Sequence, residues 1–192
     1  MDYIKLKRYI DLITSLIILV LFFWFFLFLC VLIKLDSPGP IFFKQKRVGI
    51  NKTYFYIYKF RTMRIDTPKD VPTHLLKNPS QYITKAGRFL RRTSLDELPQ
   101  IINIIRGDMS LIGPRPALWN QYDLIEQRDL YNANAVRPGL TGWAQINGRD
   151  EIPIELKARL DGDYIKRMNL FTDLKIFFYT VKKVVKSENI SM

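Results

Sequence analysis

The stretch Leu12–Ile33, which reads LITSLIILVLFFWFFLFLCVLI, carries no charge over 22 residues and decides how the chain is arranged. A helix of that length rises roughly 33 Å at about 1.5 Å per residue, enough to cross a bilayer core of about 30 Å. A domain of this size cannot bury a helix that is apolar on every side. No small-residue cleavage site follows at Lys34, which argues against a signal peptide. We therefore predict a membrane-inserted helix over residues 1–35.

Basic residues flank this segment on both sides, with Lys7 and Arg8 before it and Lys34 and Lys44 after it. The positive-inside rule therefore gives no clear direction for a spanning helix, and it favours a re-entrant helix whose two ends stay on the cytoplasmic side. A re-entrant helix needs a bend, usually at proline, and the segment contains neither proline nor glycine. Both arrangements stay open, and the flanking charge favours the re-entrant one.

Outward from this segment, residues 36–192 are predicted to form one domain of the α+β class. Tyr54, Tyr56 and Tyr58 alternate with apolar residues at the period of a strand, so residues 41–47 and 53–60 are predicted to pair as a β-hairpin. Helical periodicity and end signals predict three helices, over residues 95–106, 117–130 and 153–168. The glycine-rich residues 136–149 predict an ordered loop or short strands.

The C-terminal residues, about 173–187, are predicted to form an amphipathic helix. Its apolar residues fall on one face at helical spacing: Leu174, Phe177, Phe178, Val181 and Val185. Lysines occupy the other faces, which is typical of a helix that lies in the membrane interface. Packing of the apolar face against a protein core fits the same periodicity. The membrane segment at the other end of the chain favours the interface.

The charge of the chain points to an anionic partner. Thirty Lys and Arg residues face 18 Asp and Glu residues, which gives a formal net charge of +12. Nucleic acid, anionic lipid or a phosphorylated substrate would each satisfy such an excess. Cys30 is the one cysteine and His74 the one histidine, which excludes a disulfide framework and a Cys- or His-rich zinc site. Any bound metal would have oxygen ligands, which favours Mg²⁺.

Two adjacent acids, Asp96 and Glu97, stand in the stretch RRTSLDELPQ. Ser94 and Glu97 match a capping box, so a purely structural role is one interpretation. That register would make Pro99 the fifth helical residue, where its missing N–H leaves a carbonyl unpaired. A helix that begins at Asp96 places Pro99 third, where no partner for an N–H is needed. Spacing alone favours capping.

The neighbours of the acidic pair favour a chemical role. A helix start attracts anions, and Arg91 lies just before it. A phosphate held there would place a carboxylate beside phosphorus, and Mg²⁺ on Asp96 would bridge the phosphate oxygens. Three further arginines stand in rigid or turn-forming contexts that present a guanidinium to phosphate, namely Arg115 in GPRP, Arg137 in RPG and Arg149 in NGR.

Four blocks of the sequence resemble those of a known family: DSPGPIFFKQKRVG, YKFRTM, RRTSLDELPQIINIIRGDMSLIGPRP and VRPGLTGWAQINGRDEIPIELKARLDGDYI. Their order and spacing are similar to those of the bacterial sugar transferases that are monotopic phosphoglycosyl transferases, in their small single-domain form. The resemblance runs from about residue 2 to residue 186.

The resemblance implies an activity. Such enzymes transfer a sugar 1-phosphate from a UDP-sugar to polyprenyl (undecaprenyl) phosphate, release UMP and require Mg²⁺. They do so on the cytoplasmic face of the bacterial inner membrane, as the first membrane step of a surface glycan pathway, and downstream glycosyltransferases are possible partners. Residues 36–192 would then be a cytoplasmic catalytic domain. Both hexose and N-acetylhexosamine 1-phosphate stay open as the transferred group, and similarity to short members favours an N-acetylated amino sugar.

The resemblance also implies roles for individual residues. Asp96 matches the nucleophile that forms a covalent phosphosugar intermediate, and Glu97 matches its acidic partner. A set of charged residues matches positions at or near the phosphate site, namely Arg91, Arg115, Arg149 and Asp161.

In one place the chain departs from the family pattern. Members of the family usually carry a Ser-Pro pair that bends the membrane helix, and this chain has Phe23-Trp24 there.

Two other functions compete with the enzyme. Tyrosines beside lysines on one strand face would suit an anchored module that binds single-stranded nucleic acid, and a non-catalytic scaffold for glycan enzymes would carry the same membrane elements. The enzyme hypothesis involves no nucleic acid.

Overall fold

The computed structural model describes residues 2–67, 79–148 and 152–185 and has the predicted α+β class. The helices in chain order are α1 (Tyr3–Leu21), α2 (Phe23–Asp36), α3 (Lys85–Arg92), α4 (Gln100–Arg106), α5 (Tyr122–Asp129), α6 (Trp143–Asn147), α7 (Ile154–Lys166) and α8 (Leu170–Val185). The strands are β1 (Phe42–Val48), β2 (Tyr54–Phe60), β3 (Ser110–Ile112) and β4 (Gly139–Thr141). They form an antiparallel pair, β1 with β2, and a parallel pair, β3 with β4.

The N-terminal apolar segment is two helices rather than one. The axes of α1 and α2 meet at Phe22 with a bend of 66°. No single helix among the described residues is long and apolar enough to cross a membrane, whereas the bent pair passes that test when its two helices are taken together. The bend lies next to Phe23-Trp24, and a small apolar cavity between it and α4 is lined by Phe22, Leu98 and Ile101, among others.

The first half of α1 is bound to the rest of the protein by a polar stripe. Tyr3, Lys7, Asp11 and Ser15 recur every fourth residue, so they share one face of the helix. Tyr3 Oη donates to Asp173 in α8 at 2.7 Å, and Lys7 Nζ lies 2.5 Å from the same carboxylate. The apolar residues on the opposite face of α1 are exposed. This helix is therefore amphipathic over its first turns, which the uncharged stretch did not reveal.

The next helix, α2, packs much less of its surface. Leu29 and Ile33 are buried against Phe60 and Leu90, while most other side chains of α2 are exposed. Its C-terminal end is fixed by Arg61, which donates to the carbonyl oxygens of Ser37 and Pro38, each at 2.7 Å. The two helices thus dock on different parts of the domain, α1 on α4 and α2 on the hairpin, which explains a bend without proline.

The predicted β-hairpin is confirmed, with Lys44 opposite Tyr58 and Lys46 opposite Tyr56. The tyrosine face does not pack against the core, since Tyr54 and Tyr56 are exposed. Lys46 lies over the ring of Tyr54, 4.2 Å from its centroid. The opposite face carries Ile57, which is buried with residues of α4 and β3.

The helix predicted over residues 95–106 is split. Leu95–Glu97 form a 3₁₀ turn, and α4 begins only at Gln100, with Pro99 at its N-cap. Before Pro99 the backbone hydrogen bonds are of the 3₁₀ type, such as Leu98 N to Leu95 O at 3.2 Å, and the regular α-helix starts after it. The capping-box interpretation is wrong, since Ser94 adopts φ 56° and makes no side-chain cap hydrogen bond. The predicted end at Gly107 is confirmed, where φ 94° favours glycine.

The remaining elements support the region that follows α4. The helix predicted over residues 117–130 is shorter, since the chain at Ala117 and Leu118 is paired with β1 instead. Gly113 lies so close to β4 that an added Cβ would meet Arg137 O at 2.7 Å, so β3 and β4 pack backbone to backbone there. The predicted short strand after residue 136 is β4, and the helix predicted over 153–168 is α7.

The C-terminal helix begins three residues earlier than predicted, at Leu170. Asp173 and Ile176 are buried, and they form the side that faces the domain. The predicted apolar face is exposed instead, through Leu174, Phe177, Phe178 and Val181. Packing of that face on the core is therefore wrong, and an apolar surface is left on the outside of the protein.

Candidate active site

The acidic pair lies where three parts of the chain converge. Asp96 and Glu97 belong to the 3₁₀ turn between α3 and α4. Lys59, near the end of β2, faces both carboxylates, and Arg115 approaches from the strip that follows β3. The fifth charged member of the site is Arg91, from the last turn of α3.

Glu97 is held by two cations. Its Oε1 accepts hydrogen bonds from Lys59 Nζ at 2.6 Å and from Arg115 Nη2 at 3.0 Å. Burial alone would raise the pKa of Glu97, but Arg115 and Lys59 outweigh it and hold the pKa well below its ordinary value. Glu97 is therefore a permanent anion at neutral pH, fixed in place and with little capacity to give or take a proton.

Asp96 is held far more loosely. Its Oδ2 lies 3.9 Å from Lys59 Nζ, and within the described ranges no donor hydrogen-bonds its carboxylate. Its side chain is 14% exposed. Burial is the largest influence on the pKa of Asp96 and raises it, and the charge of Glu97 adds to that rise. Lys59, Arg91 and Arg115 offset only part of this increase, so the pKa of Asp96 is raised while that of Glu97 is lowered.

The backbone that carries Arg115 is pinned on both sides. Pro114 O accepts a hydrogen bond from Gly139 N at 2.8 Å, and Pro116 O accepts one from Arg47 Nη1 at 3.0 Å. The guanidinium therefore reaches Glu97 from a fixed base. Fixed donors are what recognition of phosphate oxygens requires.

Arg91 is anchored by the loop that follows β2. Its Nε donates to Thr62 Oγ1 at 3.0 Å, and Asp96 is the charged neighbour that favours its ionised form. Lys59, Arg91 and Arg115 together carry three positive charges, against two negative charges on Asp96 and Glu97. The site therefore has an excess of one positive charge, which suits an anionic ligand.

Sequence reasoning did not select Lys59. This residue makes the shortest contact in the site, yet its block YKFRTM was noted only for its resemblance to the family. Alternation along β2 places Lys59 on the opposite face from the three tyrosines. The alternation of side chains along the hairpin could therefore have predicted that Lys59 lies on the inner face of β2.

Three predicted site residues lie apart from the acidic pair or beyond description. Asp161, in α7, is 1% exposed and is paired with Arg128 of α5 at 2.6 Å. Arg137 donates through Nε to Gly107 O at 2.8 Å, at the opposite end of α4 from Asp96. Arg149 falls outside the described residues. Of the predicted arginines that the structure describes, Arg91 and Arg115 meet the pair and Arg137 does not, and the roles of Arg137, Arg149 and Asp161 at the phosphate site remain predictions.

The site offers few carboxylates to a metal such as Mg²⁺. Among the described residues, no group of three or more Asp, Glu, His or Cys side chains is arranged to hold a metal. Mg²⁺ is commonly bound by one or two carboxylates together with substrate phosphates, and the Asp96 carboxylate has no competing hydrogen bond. These residues therefore fit a metal that arrives with a diphosphate, and they do not form a complete protein cage.

Comparison with known proteins agrees with this chemistry. The family model for bacterial sugar transferases matches residues 2–187. The chain is 42% identical to the sugar transferase EpsL of Bacillus subtilis over 185 residues, which cover 96% of this chain and 90% of that protein. It is 42% identical to the UDP-glucose:undecaprenyl-phosphate glucose-1-phosphate transferase of Escherichia coli, over 93% of this chain and 40% of that protein.

A third relative differs in the sugar that its name gives. The UDP-N-acetylgalactosamine-undecaprenyl-phosphate N-acetylgalactosaminephosphotransferase of Aeromonas hydrophila is 37% identical, over 95% of this chain and 44% of that protein. The chain thus spans less than half of these two longer relatives and nearly the whole of the Bacillus one. With the family model matched along almost its full length, this chain belongs to the bacterial sugar transferase family.

Proposed function

We propose that this protein transfers a sugar 1-phosphate from a UDP-sugar to polyprenyl phosphate and releases UMP. The relatives named for this chemistry act on UDP-glucose or UDP-N-acetylgalactosamine. The observation that carries the proposal is the difference between the two acids. Glu97 is held by two cations, whereas the Asp96 carboxylate accepts no hydrogen bond from the residues that the structure describes and lies within the same positive cluster.

The reaction proceeds by two displacements. In the first, an Asp96 oxygen attacks the sugar-bearing phosphorus of the UDP-sugar and forms an O–P bond. The bond from that phosphorus to the bridging oxygen breaks, and UMP leaves with the electron pair. The positive excess of the cluster counters the negative charge of the diphosphate, which otherwise repels a carboxylate.

In the second displacement, a phosphate oxygen of polyprenyl phosphate attacks the same phosphorus. The new bond completes the polyprenyl diphosphate sugar, and the bond to Asp96 breaks to regenerate the carboxylate. Arg115 and Arg91 orient the phosphate oxygens in both steps. Lys59 and Glu97 stay paired and ionised beside Asp96 throughout. Two steps at one phosphorus let a soluble donor and a lipid acceptor use the site in turn.

Mg²⁺ is the proposed cofactor, and Asp96 with the donor diphosphate would hold it. When bound, it neutralises charge on the transferring group and on the leaving UMP. Lys59 and Arg115 are paired with Glu97, so Asp96 would supply the carboxylate oxygen for the metal.

Attachment to the membrane follows from the exposed apolar surfaces. The tip of the bent pair, from Val20 to Trp24, is exposed, as is the apolar face of α8. We infer that the bent pair is a re-entrant element and that α8 lies in the interface. Nucleotide sugars are cytoplasmic, so the catalytic domain faces the cytoplasm at the bacterial inner membrane. The cavity beside the bend is lined by Phe22 and by Leu98, the residue that follows Glu97 in the chain.

The product would enter a surface glycan pathway, such as exopolysaccharide, capsule or O-antigen synthesis. Several relatives are named exopolysaccharide production proteins, among them one from Rhizobium leguminosarum that is 40% identical. Glycosyltransferases that extend the lipid-linked sugar would be the downstream partners.

The test is covalent trapping with sugar-labelled UDP-glucose and UDP-N-acetylgalactosamine. Purified protein in detergent or nanodiscs should retain label and release UMP without acceptor, and polyprenyl phosphate should remove the label. Asp96→Asn should retain none. Label on Asp96→Asn, or UMP release only when acceptor is present, would contradict the covalent route. A salt-dependent shift of labelled oligonucleotide, with no UMP release from any UDP-sugar, would favour the nucleic-acid module instead.

A further inference from the structure

A buried amide lies one helical turn from the acidic pair and lacks an acceptor. Gln100 is 1% exposed, and its Nε2 is buried without a hydrogen-bond partner among the described residues. An unsatisfied buried donor costs stability, and native proteins keep few of them. Such a group is therefore a candidate for a contact made in another state of the protein.

The backbone brings the two residues close together along the chain. It is right-handed helical from the 3₁₀ turn through Leu98 (φ −52°, ψ −39°) and Pro99 (φ −63°, ψ −14°) into α4. Asp96 and Gln100 are four residues apart along it, and in an α-helix this spacing supports a Gln–Asp hydrogen bond.

The two groups are complementary. Asp96 has two carboxylate oxygens with no hydrogen-bond donor in the described part of the chain, and Gln100 has a donor with no acceptor. The contact of Asp96 Oδ2 with Lys59 Nζ is long, at 3.9 Å, so a rotation of the Asp96 side chain would break no hydrogen bond among the described residues. Gln100 itself is too buried to reach a ligand, so its partner must be a neighbouring residue.

We propose that Gln100 is a positioning residue for Asp96. In the donor-bound state its amide donates to the Asp96 oxygen that does not attack, which aims the other oxygen at phosphorus. The same hydrogen bond persists to the carbonyl oxygen of the phosphorylated aspartate, because ester formation uses only the attacking oxygen. This inference rests on the proposed nucleophilic role of Asp96 and adds the group that orients it.

The experiment compares Gln100→Met with wild type and with Gln127→Met, a matched change on α5 at a half-buried position. Methionine keeps the shape of glutamine and removes the donor. The donor is whichever of UDP-glucose and UDP-N-acetylgalactosamine labels the wild type. Single-turnover formation of the covalent intermediate should be roughly 10- to 100-fold slower in Gln100→Met, because the variant loses one hydrogen bond to a charged group. KM for the UDP-sugar should stay unchanged, because Gln100 does not touch it. Gln127→Met should match wild type in both.

Thermal stability separates this role from a structural one. Gln100→Met should melt at the same temperature as wild type or higher, since it removes an unsatisfied donor. A lower melting temperature or failure to fold would show that the Gln100 amide is structural. An unchanged labelling rate would show that the amide does not contact Asp96 and is bound only to a buried water. Either result overturns the proposal. Absence of label on wild type would instead refute the covalent route itself.

Discussion

Two buried acidic sites differ in how their carboxylates meet cations. Asp161 is buried with Arg128, with side chains 1% and 4% exposed, and both hydrogen bonds from Arg128 fall on one Asp161 oxygen. Asp96 and Glu97 share three cations and stay partly open. Arg128 and Asp161 neutralise each other, and their side chains are too buried to contact a ligand. The open cluster keeps one carboxylate loosely held and an excess of positive charge, and that combination is what a reaction on a diphosphate needs.

The largest effect is expected from breaking the pair of Asp161 and Arg128. Asp161→Asn leaves the Arg128 charge buried without a counter-ion, which should lower the free energy of unfolding by about 3–5 kcal/mol. Thermal melting in detergent measures it, with Asp163→Asn on the same helix as the control. The double variant Asp161→Asn with Arg128→Met should recover much of the loss. Full stability of Asp161→Asn with loss of UMP release would instead place Asp161 in the phosphate site, as the resemblance implies.

A smaller loss is expected from Glu97→Gln, because the site is more open. Lys59 and Arg115 lose their shared anion, which should lower the free energy of unfolding by about 1–3 kcal/mol at pH 7. The pKa of Glu97 is held below its ordinary 4.5, so its stabilisation is complete above that pH and is lost as pH falls through the lowered value. Melting curves of wild type and variant should therefore converge in acid. A gap that widens on acidification would contradict this account.

The smallest effect has the opposite sign. The pKa of Asp96 is raised, so the folded protein binds its proton more tightly than the unfolded chain, and the ionised form opposes folding. Asp96→Asn should therefore raise the free energy of unfolding by about 1 kcal/mol at pH 8, or about 2–4 °C in melting temperature. The gain should shrink as pH falls and the wild-type carboxyl becomes protonated. A variant that melts below wild type at pH 8 would show that Asp96 is held as firmly as Glu97.

The sequence was informative where a local pattern has one physical meaning. Period-2 alternation fixed the hairpin, and the glycine after Arg106 fixed the end of α4. The acidic pair was found because its motif is contiguous. Lys59 was missed because its meeting with Glu97 depends on how β2 packs on the 3₁₀ turn, a contact between residues 38 positions apart.

Other misses had a visible cause. The polar residues from Tyr3 to Ser15 recur at every fourth position in the sequence. Their spacing predicts a polar helix face, which was missed because the apolar segment overlaps them. The split before α4 was missed because proline is allowed at the third position of a helix, and nothing in the sequence marks Leu95–Glu97 as a 3₁₀ turn. Gln100 carries no signal in the sequence, because only burial distinguishes an unsatisfied amide from a surface one.

The turn at Phe22 is built without a helix breaker, and this has a consequence for biogenesis. Local sequence does not encode the 66° angle, so a polypeptide that has only emerged as far as Asp36 has nothing to hold it bent. A straight rod of 34 residues would measure about 50 Å. If the bent pair is inserted in a bilayer as proposed, its final topology is settled late, when the hairpin and α4 have folded and can hold α2 and α1 separately.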